Sequence, residues 1–276
     1  MPTQDAAAAT SPRVSIVLPA YNEEQRIELA LDELLAYLEE TVPSRDNGRP
    51  AAELGSVEVI VVDDGSSDRT AEIVVRIAGA LAAAAGGTLG SRRSTATLRM
   101  LRESHRGKGG AVRAGMLEAR GQYVVFTDAD MATPPDQLPR LLDGLADHDV
   151  ALGSRIQPDG TDRRASQPLG RRLMGRAFHL FAASWVTGRV PDTQCGFKGF
   201  RAPVAADLFA RQRLTSIVFD AEIIHLARRR GYSIISVPVE WSDKRGSRMH
   251  ASVGLALRVL IDLARIPLLH RGVGRA

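Results

Sequence analysis

A chain of 276 residues, 44% of them hydrophobic, can bury one large α/β core, and it has no run of ~20 uncharged apolar residues that would span a bilayer, so a soluble or peripheral protein is expected. Its net charge of +4, with arginines bunched at Arg92-Arg93, Arg163-Arg164, Arg171-Arg172 and Arg228 to Arg230, favours anionic partners. Only 5% of its residues are aromatic, too few for the ring-studded basic face of a nucleic-acid binder, so no nucleic acid is expected.

Residues 1–12 are polar and alanine-rich, lack the apolar centre of a secretory signal, and read as a disordered tail. Val14 to Leu18 is a first strand. In the loop Pro19-Ala20-Tyr21-Asn22-Glu23-Glu24, Asn22 and Gln25 have the spacing of a helix cap, and Ile27, Leu31, Leu34, Leu35 and Leu38 then recur at helical spacing to about Glu40. A dinucleotide-binding fold would put a glycine fingerprint in this loop, and none is there. Thr41 to Ser56, rich in Pro, Gly and charge, is a solvent loop. Val57 to Val62 is a second strand, ending in Asp63-Asp64-Gly65-Ser66-Ser67-Asp68 before a helix with Ile73, Val74 and Ile77. That acidic pair can hydrogen-bond the base and ribose of a nucleotide, or serve only as a turn and an N-cap.

Gly79 to Ala96 drifts from alanine into Gly, Ser and Arg, a fraying helix end. Leu98 to Leu101 is a third strand, followed by His105-Arg106-Gly107-Lys108-Gly109-Gly110. This is not a Walker A loop, because Gly109 stands where Ser or Thr is required. A lysine in a glycine-rich turn at a helix start can still hold a phosphate through backbone N–H groups and the helix dipole. After a helix through Val112, Met116 and Leu117, Tyr123 to Thr127 reads as a strand buried on both faces that stops at Asp128-Ala129-Asp130. Two carboxylates at a strand's carboxyl edge suit a hard divalent cation that leaves positions open for substrate phosphates; the alternative is a solvated turn. Pro134 and Pro135 open the next helix, with Leu138, Leu141, Leu142 and Leu145 on one face, and Val150 to Leu152 is a fifth strand ending in Gly153-Ser154-Arg155. Alternating strands and helices over the first 155 residues predict an α/β fold, a mostly parallel sheet flanked by helices on both faces.

The second half is less regular. Gln157 to Gln167 is a polar loop. Leu169 to Val186 is helical, with Arg171, Arg172 and Arg176 near its start and Phe178, Phe181 and Trp185 later, either a core helix or a membrane contact. Then come Asp192 to Phe200, a helix containing Phe219-Asp220-Ala221-Glu222, a strand over Ser233 to Val239, and a basic loop from Asp243 to Arg248. The lone Cys195 excludes an internal disulfide, suits a reducing compartment and reads as a small buried hydrophobe. In the last segment, Arg258, Asp262 and Arg265 share one narrow helix face while Leu255, Leu257, Val259, Leu260, Ile261, Leu263 and Ile266 cover the rest. Such a helix must bury itself in its own domain, a partner subunit or the bilayer interface, and three charges with Pro267 argue against spanning.

Pro19-Ala20-Tyr21-Asn22-Glu23, Val61 to Ser66, Lys108-Gly109, Asp128-Ala129-Asp130, Gly153-Ser154-Arg155 and Asp192-Thr193-Gln194-Cys195-Gly196-Phe197-Lys198, in this order, resemble the inverting family-2 glycosyltransferases. Within them the pattern is most similar to the dolichyl- or polyprenyl-phosphate β-glucosyltransferases. The resemblance spans about Val14 to Arg248. It implies a GT-A domain over 13–250, followed by a C-terminal amphipathic helix and tail over 251–276. It also implies a nucleotide-sugar donor, Mg²⁺ or Mn²⁺, and a polyprenyl phosphate acceptor. Pro19, Tyr21, Glu23 and Asp64 would hold the nucleoside, with Ala20, Val62, Lys108 and Ala129 completing the donor site and Arg245 on the diphosphate. Asp128 and Asp130 would hold metal and donor phosphates. Arg155, Arg171, Arg172 and Lys198 would face the acceptor, and Asp192 and Gln194 would orient sugar or acceptor.

The acceptor's second phosphate pKa lies near ~6, so the nucleophile is largely ionised and needs no strong base. In-line attack would turn an α-linked donor into a β-linked product. UDP-glucose is the expected donor, with GDP-mannose or a UDP-N-acetylhexosamine as alternatives, and a nucleotidyltransferase making nucleotide sugars is the rival class. Many members of the family carry transmembrane helices beside the catalytic domain. Here the expectation is a cytoplasmic enzyme that meets the membrane peripherally, aided by Lys244, Arg245, Arg248 and Arg271, with a homo-oligomer left open.

Overall fold

The computed structural model describes residues 11–41, 54–85, 96–157, 159–161, 186–188, 190–242 and 253–276. The solvent loop, the basic-aromatic segment 169–185 and the basic loop 243–248 lie wholly or mostly outside them.

Seven strands form one sheet: β1 (Val14–Ala20), β2 (Val57–Asp63), β3 (Ala96–Arg102), β4 (Tyr123–Thr127), β5 (Val150–Ser154), β6 (Phe197–Arg201) and β7 (Ile234–Pro238). Their order is β3-β2-β1-β4-β6-β5-β7. All neighbours run parallel except β6, which is antiparallel to both β4 and β5. The chain builds outward from β1 to β3 and then returns to the other side of β1 as β4. The carboxyl ends of β1 and β4 therefore flank the crevice where an open α/β sheet binds ligands.

Strand alternation divides the core between two layers. Ile16, Val59, Val61 and Val125 pack on one face against α1 (Ile27–Thr41), α2 (Thr70–Ala85) and α4 (Leu138–Asp147). Val17, Ile60, Val62, Val124 and Phe126 pack on the other against α3 (Lys108–Glu118), α5 (Ala202–Arg211) and α6 (Phe219–Arg230). Strands buried on both faces read as continuous apolar runs, which is why these were visible in the sequence. The α4 stripe Leu138, Leu141, Leu142 and Leu145 is buried as its spacing requires.

One expectation needs correction, and two features were not foreseen. Asn22 does not cap α1. It sits at φ 54, the left-handed region asparagine tolerates, its N–H donates to Ser66 Oγ and its Oδ1 accepts from Ser67 N, so it ties the β1 loop to the β2 loop. Strand β6 and helix α5 were not read as elements, because Lys198 and Gly199 interrupt the apolar pattern of β6. Finally, of the three charges on the narrow face of α7 (Val253–Leu269), Asp262 is tied to the domain: its Oδ2 accepts a hydrogen bond from Ser216 Oγ at 2.7 Å.

Helix α7 is thus docked on its own domain. Leu263 and Ile266 are fully buried beside Val186, Leu214, Val218 and Ala221, with Val259 and Leu269 packed around them. Burying each of the two contributes about 1.5–3 kcal/mol. At the helix end, buried His270 Nε2 lies 2.7 Å from Glu222 Oε1, and the same carboxylate accepts the N–H groups of Arg213 and Leu214. The opposite side of α7 leaves Leu257, Leu260, Ile261 and Leu268 exposed.

Candidate active site

The site forms where the loops after β1, β2, β3 and β4 meet the segment leading into β6. Tyr21 follows β1, and its ring stacks on His105 with centroids 4.1 Å apart. Glu23 donates its N–H to Thr70 Oγ1 and pairs its carboxylate with Arg26 at 2.6 Å. Pro19 and Ala20 end β1 opposite Val62 and Asp63 of β2. Asp64, 2% exposed, accepts the N–H groups of Arg106 at 2.8 Å and Gly107 at 2.9 Å, with His105 Nδ1 2.9 Å from Oδ2. Asp64 therefore does more than turn the chain: it fixes the loop that presents Lys108. Gly107 is needed there, because its φ of 93 belongs to the left-handed half of the map and an added Cβ would stand 2.8 Å from the Thr215 carbonyl oxygen.

Lys108 opens α3 and places its Nζ 2.6 Å from Asp128 Oδ1, with both side chains about one third exposed at 30% and 35%. Burial works against this ammonium, but the carboxylates of Asp128, Asp220 and Asp130 hold its pKa above the usual lysine range. Asp128 immediately follows β4. Asp130 accepts the N–H of Ala132 at 3.1 Å, and Met131 takes a left-handed φ of 47 that bends the chain back, its N–H bonded to the Asp128 carbonyl. Burial and the neighbouring Asp128 raise the Asp130 carboxyl above the ordinary aspartate value. Ala129 between them is buried.

The Asp192–Lys198 segment closes this corner. A Cβ on Gly196 would lie 2.0 Å from Asp128 Oδ2, so only glycine lets the backbone lie against that carboxylate. Asp192, also 2% exposed, receives Arg155 in a two-pronged pair, Nε to Oδ2 and NH2 to Oδ1 both at 2.7 Å, and the Arg155 guanidinium lies 5.5 Å from the Trp241 ring centroid. Gln194 Nε2 is buried and has no hydrogen-bond partner among the described residues. Cys195 is fully buried, and burial with the nearby Asp192 pushes its thiol up to about 11, so it is inert filling.

Lys198 departs most from its expected place. It is 0% exposed, with its ammonium donating to the Cys195 carbonyl and to Asp220 Oδ1 at 2.6 Å, and 5.3 Å from the centroid of the Phe126 ring. A cation enclosed in this way braces β4, the Cys195 turn and α6 against one another. Asp220, its partner, is the residue the sequence reading missed; the signal was a pair of carboxylates, Asp220 and Glu222, in the first turn of a helix that begins with Phe219. Arg171, Arg172 and Arg245 lie outside the described residues.

A crossover in a mostly parallel sheet, with an Asp-x-Asp at the end of β4 and a glycine-rich lysine loop facing it, is the arrangement expected of a glycosyltransferase of the GT-A fold. The chain belongs to glycosyl transferase family 2, whose family model matches residues 15–209. It is 35% identical over 264 residues to the dolichyl-phosphate beta-glucosyltransferase ALG5C of Trichomonas vaginalis, covering 93% of this chain and 71% of that one. It is also 35% identical over 244 residues to the dolichyl-phosphate beta-glucosyltransferase of Drosophila melanogaster, covering 86% and 69%. Among solved structures it is similar to glucosyl-3-phosphoglycerate synthase from Mycobacterium tuberculosis in complex with uridine-diphosphate, with a TM-score of 0.54, 19% identity and coverage of 92% and 80%. Mannosyltransferase PcManGT from Pyrobaculum calidifontis, in complex with GDP-Man and Mn2+, aligns with a TM-score of 0.52 at 22% identity, covering 94% and 71%. At these identities the structural matches establish the fold.

Proposed function

We propose that this enzyme transfers glucose from UDP-glucose to a polyprenyl phosphate of the dolichyl type, with inversion, giving a β-linked lipid phosphate sugar. The observation that carries this reading is the 35% identity over 93% of the chain to a dolichyl-phosphate beta-glucosyltransferase. The geometry at the ends of β1, β2 and β4 is compatible with it. Tyr21, exposed on its outer side, offers a stacking surface for a base beside the β1 and β2 ends. Asp128 and Asp130 supply hard oxygen ligands to a divalent ion of the Mg²⁺ or Mn²⁺ kind. The ammonium already seated on Asp128 marks the place as one that takes a cation. Such an ion, when bound, stabilises the charge that develops on the departing nucleoside diphosphate.

The protein's own part is positioning. Asp192 is locked onto Arg155 and almost fully enclosed, which suits it to orient that guanidinium and not to abstract a proton. Arg155, so held and lying near Trp241, is the cation that this reading sets beside an acceptor phosphate. The unpartnered Nε2 of Gln194 is a donor in want of an acceptor, which a sugar hydroxyl or phosphate oxygen would provide. An ionised lipid phosphate then attacks the anomeric carbon opposite the diphosphate without a general base.

No helix among the described residues is long and apolar enough to cross a membrane. The exposed stripe Leu257, Leu260, Ile261 and Leu268 on α7, flanked by exposed Arg258 and Arg265, is the surface by which the enzyme would rest on the bilayer interface while the acceptor's tail stays in the lipid. The test is a donor panel of UDP-glucose, GDP-mannose and UDP-N-acetylglucosamine with polyprenyl phosphate and Mg²⁺ or Mn²⁺, scored for label entering organic solvent, with Asp130→Asn as control. Transfer from UDP-glucose alone, lost in the control, is expected. Preference for another donor, or full activity of Asp130→Asn in metal-replenished buffer, would overturn the assignment.

A further inference from the structure

We infer that Lys108 is a built-in counter-cation that competes with the divalent metal for Asp128, so that metal binds well only together with the donor diphosphate. The inference rests on the proposal that Asp128 is a metal ligand. Its first observation is the contact itself: Lys108 Nζ stands 2.6 Å from Asp128 Oδ1, on the carboxylate a metal would need. The second is how the lysine is mounted. Its backbone is held on both sides, by Asp64 accepting the N–H groups of Arg106 and Gly107, and by the N–H of Gly109 donating to the Thr215 carbonyl at 2.9 Å. Only the side chain is left to move, and it is part-exposed.

The third observation is the sparseness of the ligand set. Among the described residues no group of three or more His, Cys, Asp or Glu side chains could hold a metal. A metal arriving alone would gain at most the carboxylates of Asp128 and Asp130 and would have to evict an ammonium at charge-assisted hydrogen-bond distance. A metal arriving with a nucleoside diphosphate brings phosphate oxygens to fill its shell and gives the evicted ammonium a new anionic partner. The exchange makes and breaks no covalent bond: the ammonium passes from carboxylate to phosphate as the metal takes its place. Coupling of this kind is reciprocal, so nucleotide and metal raise each other's affinity by one common factor.

The experiment is a Mn²⁺ titration of the full chain followed by electron paramagnetic resonance of the free ion, with and without UDP. It compares the wild type, Lys108→Gln, Lys108→Arg and Asp128→Asn, with folding checked by circular dichroism. The wild type is expected to bind Mn²⁺ at least about tenfold more tightly with UDP than without. Lys108→Gln should bind Mn²⁺ without nucleotide about tenfold more tightly than the wild type, with coupling to UDP reduced by about the same factor and the remainder carried by the diphosphate oxygens in the metal's shell. Lys108→Arg, which keeps the charge, should stay with the wild type and guards against a loss due to misfolding. Nucleotide-free affinity in Lys108→Gln equal to or weaker than the wild type, with coupling unchanged, overturns the inference while leaving Asp128 a ligand. Mn²⁺ binding that survives in Asp128→Asn overturns the ligand assignment, and the inference falls with it.

Discussion

Replacing Gly196 with alanine tests how closely the Asp192–Lys198 segment frames Asp128. The new Cβ would stand 2.0 Å from Asp128 Oδ2 and 2.4 Å from its Cγ, whereas ordinary contact begins at 3.4 Å, so something must yield by about 1.4 Å. The backbone is the stiffer side, since Cys195 is fully buried and β6 is hydrogen-bonded to both β4 and β5. The Asp128 carboxylate, 35% exposed, is the side that moves, and its contact with Lys108 is disturbed. A displacement of about 1 Å in a catalytic group costs on the order of 10²-fold in rate, or roughly 2.7 kcal/mol of transition-state stabilisation. Stability should change by less than about 1 kcal/mol, because the carboxylate is pushed toward the open cleft and not into the core. The assay pairs kcat/KM for UDP-glucose, at saturating polyprenyl phosphate and metal, with thermal unfolding of the same preparation. Activity within threefold of the wild type would refute the reasoning, and so would an activity loss matched by collapse of the fold.

Lys198→Met should cost about 3–5 kcal/mol in chemical denaturation, because it strands the buried Asp220 without its cation, and Lys198→Met with Asp220→Asn should recover much of that; an unchanged midpoint in the single variant would contradict the bracing role. Burial holds the His225 imidazole below its ordinary 6.5, with His270, Arg229 and Arg228 adding to the effect, so the unfolded chain binds more protons between the folded value and 6.5. Its contribution to stability is therefore present above that window and lost as pH falls through it, and the melting temperature of the wild type should drop more steeply below about pH 6.5 than that of His225→Asn. Leu260→Asp with Ile261→Asp should abolish flotation on anionic liposomes while leaving the melting temperature unchanged, since both side chains point outward; retained flotation would send the membrane contact elsewhere. These substitutions test the membrane surface more cleanly than removing α7, because truncation would also strip Leu263 and Ile266 from the core.

What could be read from the sequence follows from how each signal is encoded. Strands β1, β2 and β4 are continuous apolar runs because helices cover both faces of the sheet, and the Leu138 to Leu145 stripe has an unmixed helical period, so those elements and the Asp-x-Asp at the β4 edge were legible. Strand β6 was not, because its Lys198 and Gly199 serve tertiary needs: one is half of a buried ion pair, and the other lies where a Cβ would press on Leu141 and Leu145. Asp64 reads equally well as a nucleotide ligand or as a loop anchor, and only the positions of the Arg106 and Gly107 N–H groups show the anchoring. The apolar circumference of α7 said that it must bury a face without saying against what. The answer depends on Ser216 and Glu222, 46 and 48 residues away from Asp262 and His270 in sequence.

The most direct test of the account is the anomeric configuration of the lipid product. Full-length enzyme, UDP-glucose, polyprenyl phosphate and Mn²⁺ should yield an organic-soluble glucosyl phosphate whose proton and phosphorus NMR couplings are those of a β-linked sugar, made by the wild type and not by Asp128→Asn. An α-linked product, or a β-linked one formed equally well by Asp128→Asn, would contradict a single in-line displacement at the β4 carboxylates.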